Sequence, residues 1–173
     1  MAAKALTAAA GAVIIGAMET LLTLSLADDA ATRWLGARLA GVLAAGDVLA
    51  LAGDLGAGKT TLARGLIQAA LGRAEPVPSP TFTLVQVYEP ADGPSLWHFD
   101  LYRLSGPEEL VEIGWEEALA DGIALVEWPE RAGDALPAAT LWLRLDEAGG
   151  GRRAVFEGEA GMWQQPLSER FAA

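Results

Sequence analysis

Residues 47–61 read Asp47-Val48-Leu49-Ala50-Leu51-Ala52-Gly53-Asp54-Leu55-Gly56-Ala57-Gly58-Lys59-Thr60-Thr61. The first part, Asp47 to Ala52, is a nearly continuous short apolar run. Such a run marks a strand buried on both faces of a parallel sheet. Lys59 to Leu71 has the pattern of a helix, and between the two Gly53 to Thr60 matches G-x-x-x-x-G-K-[ST] without deviation. Glycines let a backbone wrap a polyphosphate with its N–H groups turned inward, and the helix N-terminus that follows adds its dipole to the anion site. In such a loop Lys59 reaches the outer phosphates and the Thr60 hydroxyl ligates Mg²⁺. Gly53, Asp54, Leu55, Gly56, Ala57, Gly58, Lys59 and Thr60 are therefore the expected nucleotide-binding residues, with ATP and Mg²⁺ the expected cofactors. The chain has only two lysines, Lys4 and Lys59. In a chain that otherwise uses arginine, a lysine inside the loop is better explained by phosphate chemistry than by solvation.

Elements on either side extend the pattern. Leu22 to Leu26 alternates as a strand, and Ala27-Asp28-Asp29 caps a helix running through Trp34, Leu35, Leu39 and Leu43. Three prolines, Pro76, Pro78 and Pro80, hold an extended loop. Phe82 to Tyr88 and Ser95 to Phe99 read as a hairpin joined through Pro90 to Pro94. Pro107 to Asp121 is helical and acidic with a break near Gly114, and Gly122 to Trp128 is another buried strand. Leu141 to Leu145 and Ala154 to Glu157 form a last pair around Gly149-Gly150-Gly151, before a short C-terminal helix. Helices alternating with apolar strands predict a three-layer α/β domain of the P-loop NTPase type, with a mixed, mostly parallel central sheet. No repeat or linker divides residues 22–173, which read as one domain.

A P-loop enzyme also needs a carboxylate for its metal. Asp100 follows Leu96-Trp97-His98-Phe99 and Glu127 follows Ile123-Ala124-Leu125-Val126. Each stands at the C-terminal end of an apolar strand, where α/β sheets build their sites. With Lys59 they are the expected catalytic residues, and with Thr60 the expected metal ligands. The competing reading of Asp100 is a turn residue or helix cap. For Glu127, a charge at the end of a buried strand is costly unless it is paired or metal-bound. His98, the one histidine in the chain, reads as a packed or hydrogen-bonded strand residue rather than a catalyst.

Composition sets limits. The chain has 173 residues, 23 of them acidic and 12 basic, for a net charge of −11, and it has no cysteine. Disulfides and thiolate metal sites are excluded. So acidic a chain is a poor match for gripping a nucleic acid backbone unaided, because that binding depends on Lys and Arg. Residues 1–21 form an N-terminal extension, of which Ala5 to Ala17 is small and apolar yet too short to span a membrane. A start assigned upstream of the true one at Met18, a loosely docked tail and an export signal all fit it. The nucleotide motif favours the cytoplasm over export.

Four blocks in order carry a family resemblance: GDLGAGKTTLARG at 53–65, PSPTFTLVQVY at 78–88, HFDLYRLSGPEELVEIG at 98–114 and LVEWPER at 125–131. The P-loop is shared by many functions, but the succession of the other three is far more specific. From about Leu22 to Val155 the sequence resembles the bacterial TsaE (YjeE) family, ATPases of tRNA threonylcarbamoyladenosine biosynthesis. The resemblance implies that Asp100 is the Walker-B-type aspartate and Glu127 a second metal-associated carboxylate. Thr61 would support the nucleotide, and Trp128 would lie beside it. Ser79, Thr81 and Thr83 would form a switch-like segment sensing the outer phosphate. Tyr102 and Arg103 lie in the most recognisable stretch. Asp28 to Thr32, Thr32 included, and Gly151-Arg152 would cradle the base. The implied partners are the TsaD and TsaB proteins, with tRNA reached through their complex. No strong water-activating residue is evident, so slow hydrolysis is expected in isolation.

A small-molecule kinase is the alternative enzyme, but no arginine-rich lid segment is present. A GTPase would need an N/T-K-x-D segment, and no lysine follows Lys59. An ATP-gated binding module with incidental hydrolysis is the alternative outside catalysis. The stretch from Pro107 to Glu130 holds eight carboxylates and no basic residue. It reads as a solvated helix face or as a docking surface for a basic partner.

Overall fold

The computed structural model describes residues 18–172. In chain order these form β1 (Met18–Leu26), α1 (Asp29–Leu39), β2 (Val48–Ala52), α2 (Lys59–Leu71), β3 (Val85–Tyr88), β4 (Leu96–Asp100), α3 (Trp115–Asp121), β5 (Ile123–Glu127), β6 (Leu141–Ala148), β7 (Gly151–Glu159) and α4 (Ala160–Phe171). Two 3₁₀ segments, Pro107–Ile113 and Pro129–Ala135, flank α3 and β5. All seven strands join one sheet in the order β1-β7-β6-β2-β5-β4-β3. Its centre, β6-β2-β5-β4, is parallel, while β3 and β7 run antiparallel to their neighbours. The sheet is thus mixed, with its parallel part where both faces are covered.

Alternation along the strands divides the apolar side chains between two cores. On one face Leu49, Leu51, Leu125 and Leu143 pack beneath α1, α2 and α4, through Leu35, Leu39, Leu62, Leu66, Ile67, Trp163 and Leu167. On the other, Val48, Phe99, Ala124 and Val126 pack against Leu110, Trp115, Ala118 and Ala132 of α3 and the 3₁₀ segments. These are the three expected layers. Helices α1 and α2 approach so closely that a Cβ on Gly36 would lie 2.1 Å from the Leu62 carbonyl oxygen. Only glycine admits that crossing.

Several boundaries differ from the sequence reading for local reasons. The first strand begins at Met18, paired with Glu159, so the expected boundary after residue 21 falls inside β1. The readings of residues 1–17 lie outside the described residues. Strand β3 begins at Val85, not Phe82. Residues 80–84 are turned back by a hydrogen bond from the Leu84 N–H to the Pro80 carbonyl at 2.7 Å, with Leu84 at φ +64°. The last hairpin is longer than expected because its turn is only Gly149-Gly150, with pairing from Ala148↔Gly151 onward. The segment before α3 is 3₁₀ rather than α-helical, and it ends at Gly114, where the break was expected. Among the described residues no helix is long and apolar enough to cross a membrane.

Candidate functional site

The C-terminal ends of β2, β4 and β5 lie side by side, and the residues that leave them converge on the start of α2. Leu55, Gly56, Gly58, Lys59, Thr60 and Thr61 line one wall of a cleft of about 360 Å³. Ser79, Thr81, Asp100, Tyr102, Glu127 and Trp128 line the other. The loop keeps its shape through positive φ at Gly58 (+105°), a conformation that side-chain-bearing residues rarely adopt. A Cβ there would also lie 2.9 Å from Arg152 Nε.

Lys59 is 95% buried, being 5% exposed. Its ammonium donates to the Gly53 carbonyl at 2.6 Å and the Asp54 carbonyl at 2.8 Å, and it lies 3.9 Å from the centre of the Trp128 ring. Burial pushes its proton affinity below the ordinary lysine value of 10.5, against the opposing pull of Glu127, Glu130, Asp100 and Asp54. The loop carbonyls hold the cation where an incoming anion can take it over. Trp128 has the left-handed backbone conformation at φ +58°. Such a conformation is costly for a bulky residue and clusters at functional sites. Here it sets the indole against both Lys59 and Tyr102, whose ring centre is 4.9 Å away.

The two carboxylates hold separate networks. Asp100 Oδ2 accepts from the Ser79 hydroxyl at 2.6 Å and the Thr81 hydroxyl at 2.8 Å, and its Oδ1 accepts from the Tyr102 N–H at 3.1 Å. Glu127 accepts from the Thr60 hydroxyl, at 2.9 Å to Oε1 and 3.0 Å to Oε2. Its Oε1 also lies 2.8 Å from His98 Nε2. Asp100, Glu127 and His98 are all buried. Among the described residues no three His, Cys, Asp or Glu side chains cluster closely enough to hold a metal by themselves. One hydroxyl and two carboxylates make an oxygen-only, incomplete donor set. It suits Mg²⁺, which keeps waters and completes its shell with substrate phosphates.

Not every expected residue reaches this cleft. Gly53, Asp54 and Ala57 shape the loop from behind, Ala57 being buried. Thr83 sits exposed on the turn before β3 and does not line the cleft. Arg103 lies beside it, stacked 4.3 Å over the exposed Phe82 ring. Thr32 is fully buried, and its hydroxyl is committed to the Asp28 carbonyl at 3.0 Å and to Arg152 at 3.2 Å. Its direct effect is to hold Arg152, which also pairs with Asp29 at 2.7 Å. Asp28, Asp29 and Gly149 to Arg152 line a second hollow of about 530 Å³. Arg152 packs on Gly58 and so links that hollow to the loop. His98 is a buried, hydrogen-bonded strand residue as expected, and what the sequence reading did not identify is its partner, Glu127. The signal was its two-residue offset from Asp100, which puts both side chains on one face of a strand.

The family model of threonylcarbamoyl adenosine biosynthesis protein TsaE matches residues 26–155. The chain belongs to the TsaE family. The match spans the P-loop, both carboxylates and Arg152. Among relatives named tRNA threonylcarbamoyladenosine biosynthesis protein TsaE, that of Streptomyces coelicolor is 47% identical over 120 residues, 68% of this chain and 80% of its own length. That of Nostoc is 46% identical over 118 residues, covering 66% and 72%. That of Haemophilus influenzae is 48% identical over 97 residues, covering 56% and 60%. The crystal structure of YdiB from Bacillus subtilis superposes with a TM-score of 0.71 at 29% identity, over 89% of this chain and 95% of that one. This TsaE-family chain therefore shares its mixed α/β architecture with a solved structure across nearly its whole length.

Proposed function

We propose that this protein is the ATP-hydrolysing component of the machinery that installs N6-threonylcarbamoyladenosine in tRNA, acting in the cytoplasm with TsaD and TsaB. The observation that carries the hydrolytic part is the convergence of Lys59, Thr60, Asp100 and Glu127 on one cleft. The family and its named relatives support the tRNA part.

In this reading Lys59 and the loop backbone bind the phosphates of ATP and neutralise charge as it develops during transfer to water. The Thr60 hydroxyl and Asp100 hold Mg²⁺ beside those phosphates, with Glu127 as the second associated carboxylate. Held there, the metal would supply Lewis-acid stabilisation of negative charge on the phosphates. Ser79 and Thr81 keep the Asp100 carboxylate turned toward the cleft. Arg152, gripped by Asp29 and Thr32, steadies the loop from the side of the second hollow, where the base is accommodated. The protein's net charge of −11 favours contact with tRNA through partners rather than directly. An ATP-gated binding module is the second reading, favoured by both cleft carboxylates being held in hydroxyl hydrogen bonds rather than standing free as a base.

Depletion of the protein followed by mass analysis of tRNA nucleosides tests the pathway; unchanged threonylcarbamoyladenosine overturns it. Phosphate release measured with and without TsaD and TsaB tests the incomplete site, and rapid turnover by the isolated chain contradicts it. Glu127→Ala compared with Lys59→Ala separates the two readings. An ATPase loses function in both, whereas a binding module keeps ATP binding and partner function in the first.

A further inference from the structure

His98 is fully buried on β4, two residues before Asp100, on the sheet face that carries α2. Its Nε2 lies 2.8 Å from Glu127 Oε1, and its Nδ1 is buried with no hydrogen-bond partner. Of the two neutral tautomers, one fits both facts. A proton on Nδ1 would strand a buried donor and set the Nε2 lone pair against a carboxylate. A proton on Nε2 alone gives Glu127 its donor and leaves only an acceptor unpaired, the cheaper omission.

We infer that His98 is a positioning residue for the phosphate cleft: its Nε2–H holds Oε1 of Glu127, so that Oε2 and the Thr60 hydroxyl face the cleft in one arrangement. This rests on the nucleotide-binding reading of the cleft given above. The terminal torsion of a glutamate is broad and weakly restrained. Glu127 stands at the end of a strand whose other residues are Ile123, Ala124, Leu125 and Val126, all buried. Donors alone can fix a carboxylate there. Thr60 Oγ1 provides one, shared between the two oxygens at 2.9 and 3.0 Å, and His98 provides the other, on Oε1 only. That asymmetry leaves Oε2 as the oxygen with acceptor capacity to spare. A hydroxyl has one proton and two lone pairs, so with its proton given to Glu127 the Thr60 oxygen would keep its lone pairs available to a metal. His98 thus acts on the metal through Glu127 and Thr60, as partners that orient metal ligands do.

Because His98 is the chain's one histidine, the tag-free full-length protein gives a single imidazole in long-range ¹H–¹⁵N spectra. The ring is expected to carry a proton on Nε2, and Glu127→Ala should shift its resonance. Three substitutions separate position from packing. His98→Gln places an amide donor near the Nε2 site, His98→Asn places one near Nδ1, and His98→Leu has none. By calorimetry, His98→Asn and His98→Leu should need roughly tenfold to a hundredfold more Mg²⁺ for half-maximal enhancement of ATP binding. Affinity for metal-free nucleotide should stay unchanged, and thermal melting should verify that each variant is folded. His98→Gln should stay within about threefold of the parent. With TsaD and TsaB present, kcat should fall in the same two variants, with KM at saturating Mg²⁺ little altered. A ring protonated on Nδ1 alone, a folded His98→Leu protein with the parental Mg²⁺ requirement, or equal behaviour of the Asn and Gln variants would each overturn the proposal. If the parent protein releases no phosphate under any condition, the ATPase reading falls, while the ring spectrum and the Mg²⁺-linked binding still decide the role of His98.

Discussion

Asp100 and Glu127 are paired residues in the parallel β4–β5 ladder, and the Leu101 N–H donates to the Glu127 carbonyl at 3.1 Å just beyond them. The two carboxylates are neighbours by backbone register, yet they share no side-chain partner. Asp100 is held by the segment at Ser79 and Thr81, and Glu127 by Thr60 and His98. In the proposed function both carboxylates would associate with Mg²⁺, and each would contribute to its affinity. Asp100→Asn and Glu127→Gln should therefore each raise the Mg²⁺ requirement for ATP binding by about tenfold to a hundredfold. Binding of metal-free nucleotide should stay near the parental level. Calorimetric titration with and without Mg²⁺ reads both quantities.

Lys59 sets a pH dependence. Burial lowers its proton affinity, so the charged form is held less favourably in the fold than in the unfolded chain. That penalty is present in full below the folded value, and it is relieved as pH rises through that value toward 10.5. Bound phosphates favour the charged ammonium, so ATP binding should take up protons in this alkaline range and weaken as pH climbs through it. Calorimetry in buffers of different ionisation enthalpy detects the uptake. Lys59→Met should cost about 2–5 kcal/mol of nucleotide binding.

Ser79 and Thr81 line the cleft, and both hydroxyls donate to Asp100. Hydrogen bonds to a charged group contribute about 1.5–3 kcal/mol each. The double variant Ser79→Ala/Thr81→Val should thus lower partner-stimulated kcat by about tenfold or more, at 1.4 kcal/mol per factor of ten. ADP affinity should change little, because neither hydroxyl belongs to the loop that holds the inner phosphates. Thr83→Ala, on the exposed turn, should leave both quantities at the parental level. Steady-state kinetics and ADP titration distinguish these outcomes.

The α1–α2 crossing makes a prediction independent of chemistry. A methyl at Gly36 would strike the Leu62 carbonyl at 2.1 Å. Gly36→Ala should destabilise the fold by about 1–3 kcal/mol as the helices separate. Urea unfolding measures the loss.

Local patterns carried much of this protein in its sequence. The apolar run from Val48 to Ala52, the glycine loop and the helix from Lys59 follow from nearest-neighbour preferences, and so do their boundaries. The loop's chemistry is also local, because its donors come from consecutive residues. Short apolar runs placed Asp100 and Glu127 at strand ends, and the proline and glycine punctuation marked the turns on both sides. What needed the tertiary structure was every relation across strands. Strand order brings β4 beside β5 and so sets His98 against Glu127 and Asp100 beside it. The chain reversal at residues 80–84 aims Ser79 and Thr81 inward and leaves Thr83 outside. The packing of β7 against β1 carries Arg152 onto Gly58 while Thr32 disappears beneath it. Periodicity along a strand determines which face a side chain takes, but the neighbour it meets there is decided by long-range pairing, which depends on the burial of the whole sheet.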